Sequence, residues 1–252
     1  QGNSVVRLDV FFGYQQLTAA DVAGRVVAVV DVLRASSTIA AALANGARAV
    51  VPFLTSDDAV AQAKQLGREG VLLAGEQKML PIPGFDMGNS PGEFTADKVQ
   101  GKTVLLTTTN GSGAILAAQG ARDIVVASYV NFSAVAAMLR ATVQAETDIV
   151  ILCSGHERRF TLEDAGCAGR YVRAIQKGLN GVATNDGATA CALIDRKYGE
   201  NIAKLLQDSY HGQALAGAGF GDDVSFCAAL DSFAVVPVYS DRQIVAFGAG
   251  RI

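Results

Sequence analysis

Several features are scarce or missing in these 252 residues, and each gap closes off a class of function. Excess positive charge is missing: 21 Lys+Arg against 24 Asp+Glu leave a formal charge of −3, which excludes an electrostatic binder of nucleic acid or of an anionic membrane surface. There are two histidines and four cysteines (Cys153, Cys167, Cys191, Cys227) with no C-x-x-C pair, so a zinc cluster is not expected. Those thiols stand among small and apolar neighbours and read as buried, reduced groups of a cytoplasmic protein. Apolar runs such as 26–30 and 71–74 fall far short of the roughly 20 residues a membrane span needs. No secretory pattern opens the chain, so export is not expected either. No G-K-[ST] follows the hydroxyl- and glycine-rich stretch 107–113, and it lacks G-x-G-x-x-G, which leaves ATP and dinucleotide binding unsupported. What the chain has in quantity is apolar material, 50% of its residues, enough for a large core and for the interface of a homodimer or higher homo-oligomer.

An internal repeat organises residues 24–160, with copies at about 24–96 and 101–160. Gly24 to Asp31 parallels Gly101 to Thr108: in each, a basic residue leads into an apolar run that stops at polar groups. Small and hydroxyl residues follow, then an Ala/Ile/Leu helix that ends in Gly-Ala-Arg, at 46–48 and again at 120–122. A second apolar run, a capped helix and a third strand complete each copy, the third strand leading to glycine and glutamate (Gly75-Glu76; Gly155-His156-Glu157). Strands alternating with helices predict a three-layer α/β/α domain with a largely parallel or mixed sheet, built from two duplicated halves. One domain spans 1–252, its stretch 161–252 adding helices at 163–177, 189–198 and 202–208 and a β segment at 234–247. Pro237 predicts an edge position for that last segment.

Ligands of open α/β sheets gather where strand ends feed helix N-termini, and the polar residues concentrate there. Asp31 closes an apolar strand three residues before Arg34, which fits an acidic metal ligand beside an anion-binding cation, or equally a helix cap with its ion pair. Thr107 to Gly113 is a hydroxyl- and glycine-rich loop whose N–H groups suit an oxyanion such as phosphate. Glu76 and the pair Glu163-Asp164 supply hard oxygens of the kind Mg²⁺ takes, although acids in a first helical turn also serve the helix dipole. Gly84 to Pro91 is a dense turn that folds over the site or crosses the surface, and His156 and His211 are the available acid–base groups.

Taken together, Asp31-Val32-Leu33-Arg34-Ala35-Ser36-Ser37-Thr38-Ile39, Gly84-Phe85-Asp86-Met87-Gly88-Asn89-Ser90-Pro91, Thr107-Thr108-Thr109-Asn110-Gly111-Ser112, Leu162-Glu163-Asp164 and Ser209-Tyr210-His211-Gly212 resemble the signatures of the 2-phosphosulfolactate phosphatase family. The resemblance runs in order along nearly the whole chain. It implies Mg²⁺-dependent hydrolysis of (R)-2-phospho-3-sulfolactate to 3-sulfolactate and phosphate, a step that in some organisms belongs to coenzyme M biosynthesis. Under that reading the metal ligands are Asp31, Glu76 and Asp164, and the catalytic set is Asp31, Arg34, Glu163, Asp164 and His211. The substrate would meet Ser36, Ser37, Lys78, Asn89, Ser90, Thr109, Asn110, Gly111, Ser112 and Arg158. The family pattern commonly carries an arginine after the glutamate where this chain has Gln77, so Lys78, Arg158 and Arg159 are the cations left for the second anionic end. Direct attack by water and a covalent phosphate on Asp31 both fit these residues. The competing functions are a phosphatase of another small phosphorylated acid and a non-catalytic anion-binding protein.

Overall fold

The computed structural model describes residues 5–248. Eleven strands form one sheet: β1 Val6–Phe11, β2 Val26–Val30, β3 Ala49–Phe53, β4 Val71–Gln77, β5 Leu80–Pro81, β6 Thr103–Thr107, β7 Asp123–Ala127, β8 Ile149–Cys153, β9 Val182–Thr184, β10 Pro237–Ser240 and β11 Gln243–Ala246. Their order is β5-β4-β6-β3-β11-β10-β7-β2-β8-β1-β9. Within β4-β6-β3 and within β7-β2-β8-β1-β9 all neighbours are parallel. The β10–β11 hairpin joins the two blocks through antiparallel pairs on both of its sides, so the blocks run in opposite directions.

Strand β2 shows why the sheet needs helices on both faces. Its five residues are all buried, and alternate side chains enter opposite cores. Val26, Ala28 and Val30 pack with Val135 and Leu139 of the helix Phe132–Gln144 and with Cys167, Tyr171 and Ile175 of Leu162–Gln176. Val27 and Val29 pack with Ile39 and Leu43 of Ala35–Ala44 and with Ala114 and Ile115 of Gly111–Ala117. Each such aliphatic side chain, fully buried, contributes about 1.5–3 kcal/mol relative to exposure. All four cysteines are free and buried in this packing.

The copies of the sequence repeat interleave in the sheet: β6 of the second lies between β3 and β4 of the first, and β2 of the first lies between β7 and β8 of the second. The Gly-Ala-Arg triplets serve this exchange, since Arg48 N–H donates to the Lys102 carbonyl (2.8 Å) and Arg122 N–H to the Arg25 carbonyl (2.9 Å), each reaching the lead-in of the other copy's first strand. The segment at 234–247 is not an edge but the central hairpin. Pro237 is tolerated there because it is the first residue of β10, and pairing with β7 begins only at Val238. The stretch 77–99 contains the short β5, a 3₁₀ turn at Pro91–Glu93 and a helical turn at Ala96–Val99.

Candidate functional site

The C-terminal ends of β2, β4, β6 and β8 bring residues from both blocks to one small cavity of about 50 Å³. Asp31 and Arg34 enter from β2 and the helix after it, Glu76 from β4, and Thr108 to Asn110 from β6. Asn89 reaches it from the 84–91 loop, His156 from the turn after β8 and His211 from the helix Tyr210–Leu215. Two backbone features permit the approach. Gly111 lies against Asp31, where an added Cβ would stand 2.7 Å from Asp31 Oδ2 and 2.5 Å from Ala35 Cβ. Gly75, at φ 147°, runs so close to β6 that a Cβ would meet the Thr107 carbonyl, and it sets Glu76 toward the cavity.

The carboxylates differ in what holds them. Glu76 accepts from Thr109 N–H (2.6 Å) at Oε1, and from Thr109 Oγ1 and Met79 N–H (2.9 Å each) at Oε2. Asp31 is buried, and that burial pushes its carboxyl up to about 6; His211 works against the shift, while Glu76 and Glu163 add to it by repulsion. Asp164 accepts Val32 N–H (2.9 Å) at Oδ1 and Gly155 N–H (3.1 Å) and Ser154 Oγ (3.2 Å) at Oδ2, tying the ends of β2 and β8 together. Burial, with the neighbouring Glu163 and Asp31, raises its pKa well above the ordinary range.

Glu163 places Oε1 3.2 Å from His211 Nδ1, while its Oε2 is buried with no partner. An ionised carboxylate only accepts, so Nδ1 carries the proton and Nε2 is left to exchange one. His156 stacks on His211 with ring centroids 4.1 Å apart and planes 20° off parallel. Its pKa is lowered by burial and then by His211. The Asn110 amide donates to its Nδ1 at 3.4 Å.

A family model described as 2-phosphosulpholactate phosphatase matches residues 12–242. The chain belongs to the 2-phosphosulfolactate phosphatase family. It is 42% identical over 227 residues to a protein of Symbiobacterium thermophilum named "Probable 2-phosphosulfolactate phosphatase", covering 90% of this chain and 96% of the relative. Proteins of the same name from Clostridium acetobutylicum (33% over 240 residues, 95% and 100% covered) and Thermotoga maritima (38% over 213 residues, 84% and 88% covered) are also similar to it.

The residues singled out from the family signatures divide into two groups. Asp31, Arg34, Glu76, Lys78, Asn89, Thr109, Asn110 and His211 line the cavity, and Gly111 abuts Asp31. Asn89 Oδ1 is buried there without a partner. The others stand apart. Ser36 Oγ accepts Asp31 N–H (2.9 Å), and Ser37 Oγ donates to the Val32 carbonyl (2.8 Å). Ser112 Oγ accepts Thr108 N–H (3.2 Å), so all three hydroxyls are engaged in holding backbone. Ser90 donates to Asp223 (2.6 Å). Arg158 lines a separate hollow with Phe12 and Gln15. Glu163 and Arg159 face an adjoining hollow of about 350 Å³, which shares His156 and His211 with the cavity.

Asp164, expected as a metal ligand, does not line the cavity that holds Asp31 and Glu76; its oxygens are turned to the ends of β2 and β8 instead. Among the described residues no group of three or more His, Cys, Asp or Glu is arranged to hold a metal ion. Asp31 and Glu76 remain as a pair of carboxylates in one cavity. One or two carboxylates suffice for Mg²⁺, which retains waters and takes phosphate oxygens from its substrate. The repulsion between the two acids is what a divalent cation would offset. Sequence reasoning missed Asp223, which pairs with Arg34 at 2.8 Å, and left His156, an available acid–base group, out of the catalytic set. Nothing in the local pattern Gly221-Asp222-Asp223 points to a partner 189 residues away. Among the described residues no helix is long and apolar enough to cross a membrane.

Proposed function

We propose that this chain hydrolyses the phosphate monoester of (R)-2-phospho-3-sulfolactate, releasing 3-sulfolactate and inorganic phosphate. The observation that carries the reading is the meeting, in one cavity of a chain of this family, of an acid pair (Asp31, Glu76), a buried guanidinium (Arg34) and a carboxylate-backed histidine (His211). Asp31 and Glu76 would hold Mg²⁺, which when bound supplies neutralising charge to the phosphoryl oxygens. Arg34 and Lys78 add positive charge at the same wall, and the Asn89 and Asn110 amides add neutral hydrogen bonds. Water attacks phosphorus in line as the bond from phosphorus to the C2 oxygen breaks. His211, oriented by Glu163, gives the departing alkoxide its proton through Nε2 and regains one from solvent, to which the proton lost by the attacking water passes. The cavity takes the phosphoryl group, and the sulfonate end extends toward the hollow bordered by Arg159. The four buried thiols support a reducing compartment, the cytoplasm.

Phosphate release tests the reading. Turnover of 2-phospho-3-sulfolactate should stop in excess EDTA and return with Mg²⁺, and should exceed turnover of phospholactate and phosphoglycolate at equal concentration. Full turnover after exhaustive chelation would refute the metal. Equal turnover of the three esters would leave a phosphatase without sulfonate selectivity. Binding of the ester with no phosphate released would refute catalysis.

A further inference from the structure

The stretch after the helix Tyr210–Leu215 plays no part in the chemistry proposed above, yet it converges on Arg34 in two ways. Ala216–Phe220 is a π-helical turn with Gly219 in the left-handed region at φ 92°, and it redirects the chain into the helix Gly221–Cys227. The turn lays the Phe220 ring against the guanidinium, with Arg34 Cζ 4.5 Å from the ring centroid. Three residues on, Asp223 Oδ2 accepts from Arg34 Nη1 (2.8 Å) and from Ser90 Oγ (2.6 Å). Arg34 is 3% exposed and Asp223 8%, so water screens this pair little and its geometry is well defined. Nη2 donates to the Met79 carbonyl at 2.8 Å. A guanidinium has five N–H donors, and among the described residues Nε–H finds no protein acceptor. The arginine is thus gripped from one side with donors left over for an anion in the cavity it lines.

We propose that Asp223 is a positioning residue that aims the Arg34 guanidinium at the phosphoryl group of the substrate and, through Ser90, locks the 84–91 loop to the same geometry. This rests on the reading of the cavity as a phosphate-ester site. Asp223 touches no substrate; its effect passes through Arg34, and its loss should therefore count only while Arg34 is present.

A double-mutant cycle tests that dependence. Wild type, Asp223→Asn, Arg34→Ala and the double variant are compared by kcat/KM for the ester and, independently of turnover, by calorimetric titration with inorganic phosphate. Asp223→Asn should lower kcat/KM roughly 10–100-fold and weaken phosphate binding about tenfold, while adding less than about threefold to either loss in the Arg34→Ala background. Equal, independent losses in both backgrounds would overturn the proposal, as would an Asp223→Asn enzyme with wild-type phosphate affinity. Should that variant fail to fold, Ser90→Ala reads the same clamp: about threefold weaker phosphate binding is expected with Arg34 present and none without it. Unchanged binding in Ser90→Ala would then overturn the proposal. A wild type that binds phosphate and hydrolyses no ester would refute the phosphatase reading alone, leaving Asp223 to be decided by the phosphate titration.

Discussion

The two loops that follow β2 and β6 occupy matching places in the sequence repeat and share one local construction. In the first, Asp31 N–H donates to the hydroxyl of Ser36; in the second, Thr108 N–H donates to the hydroxyl of Ser112, and each serine lies in the first turn of the helix that follows. The strand ends are thus secured in the same way. Their chemistry is not the same, for the first loop carries Asp31 and Arg34 where the second carries only neutral Thr108, Thr109 and Asn110. Hydroxyl-rich turns at both places serve the backbone, and the charge needed for phosphoryl transfer sits in the first copy, in Asp31, Arg34 and Glu76, completed by Glu163 and His211 from the C-terminal stretch.

Asp31→Asn should break the contrast most severely, with kcat/KM falling at least ~10³-fold, the order expected when a central charged group is lost. Its effect on the fold should have the opposite sign. The Asp31 carboxyl has a folded pKa of about 6 against 3.8 in the unfolded chain, so the native state binds that proton more tightly and metal-free stability is lost as pH rises from about 4 through about 6. A shift of this size corresponds to on the order of 2–3 kcal/mol at neutral pH, and urea titrations of the EDTA-treated protein at pH 4 and pH 7 should show the asparagine variant without that decline.

His211→Gln comes next, with about a 10²-fold loss of kcat that shrinks for esters whose leaving group needs no proton, such as an aryl phosphate. Wild-type kcat in that variant on 2-phospho-3-sulfolactate would remove the general acid from the account. Gly111→Ala should cost roughly tenfold in kcat/KM and about 1–3 kcal/mol, because the new methyl must displace Asp31 or Ala35. Smallest of all, Ser36→Ala and Ser112→Ala should each lower stability by about 1 kcal/mol, measured by thermal melting, with activity within about threefold of wild type. A large activity loss in either serine variant at unchanged stability would return these hydroxyls to the substrate.

Local patterns made much of this legible. Buried strands announced themselves as apolar runs, and 202–208 is a helix as read. The alternation of strand and helix gave the layered α/β class, and the residues at strand ends gave Asp31, Glu76 and Asn110. Long-range pairing was not legible. The interleaving of β2 and β6 depends on which edge a strand meets, and the same apolar run serves either choice. Pro237 argued for an edge by its missing N–H, yet the hairpin simply begins pairing with β7 one residue later. Asp164 and Glu163 are neighbours in a helix, and only tertiary contacts make one a clamp on two strand ends and the other the partner of His211. Asp223 was invisible for the same reason, its partner lying far off in the chain.

The most direct test of the division between the loops is to replace the same strand-end position in each by a near-isostere. Asp31→Asn and Thr108→Val would be assayed side by side for kcat/KM on 2-phospho-3-sulfolactate at saturating Mg²⁺, with melting temperatures recorded for both. The account predicts near-background turnover in the first, and in the second turnover within about tenfold of wild type despite the lost Thr108–Ser112 bonds. Near-wild-type turnover in Asp31→Asn, or equal collapse of both variants with their folds intact, would contradict it.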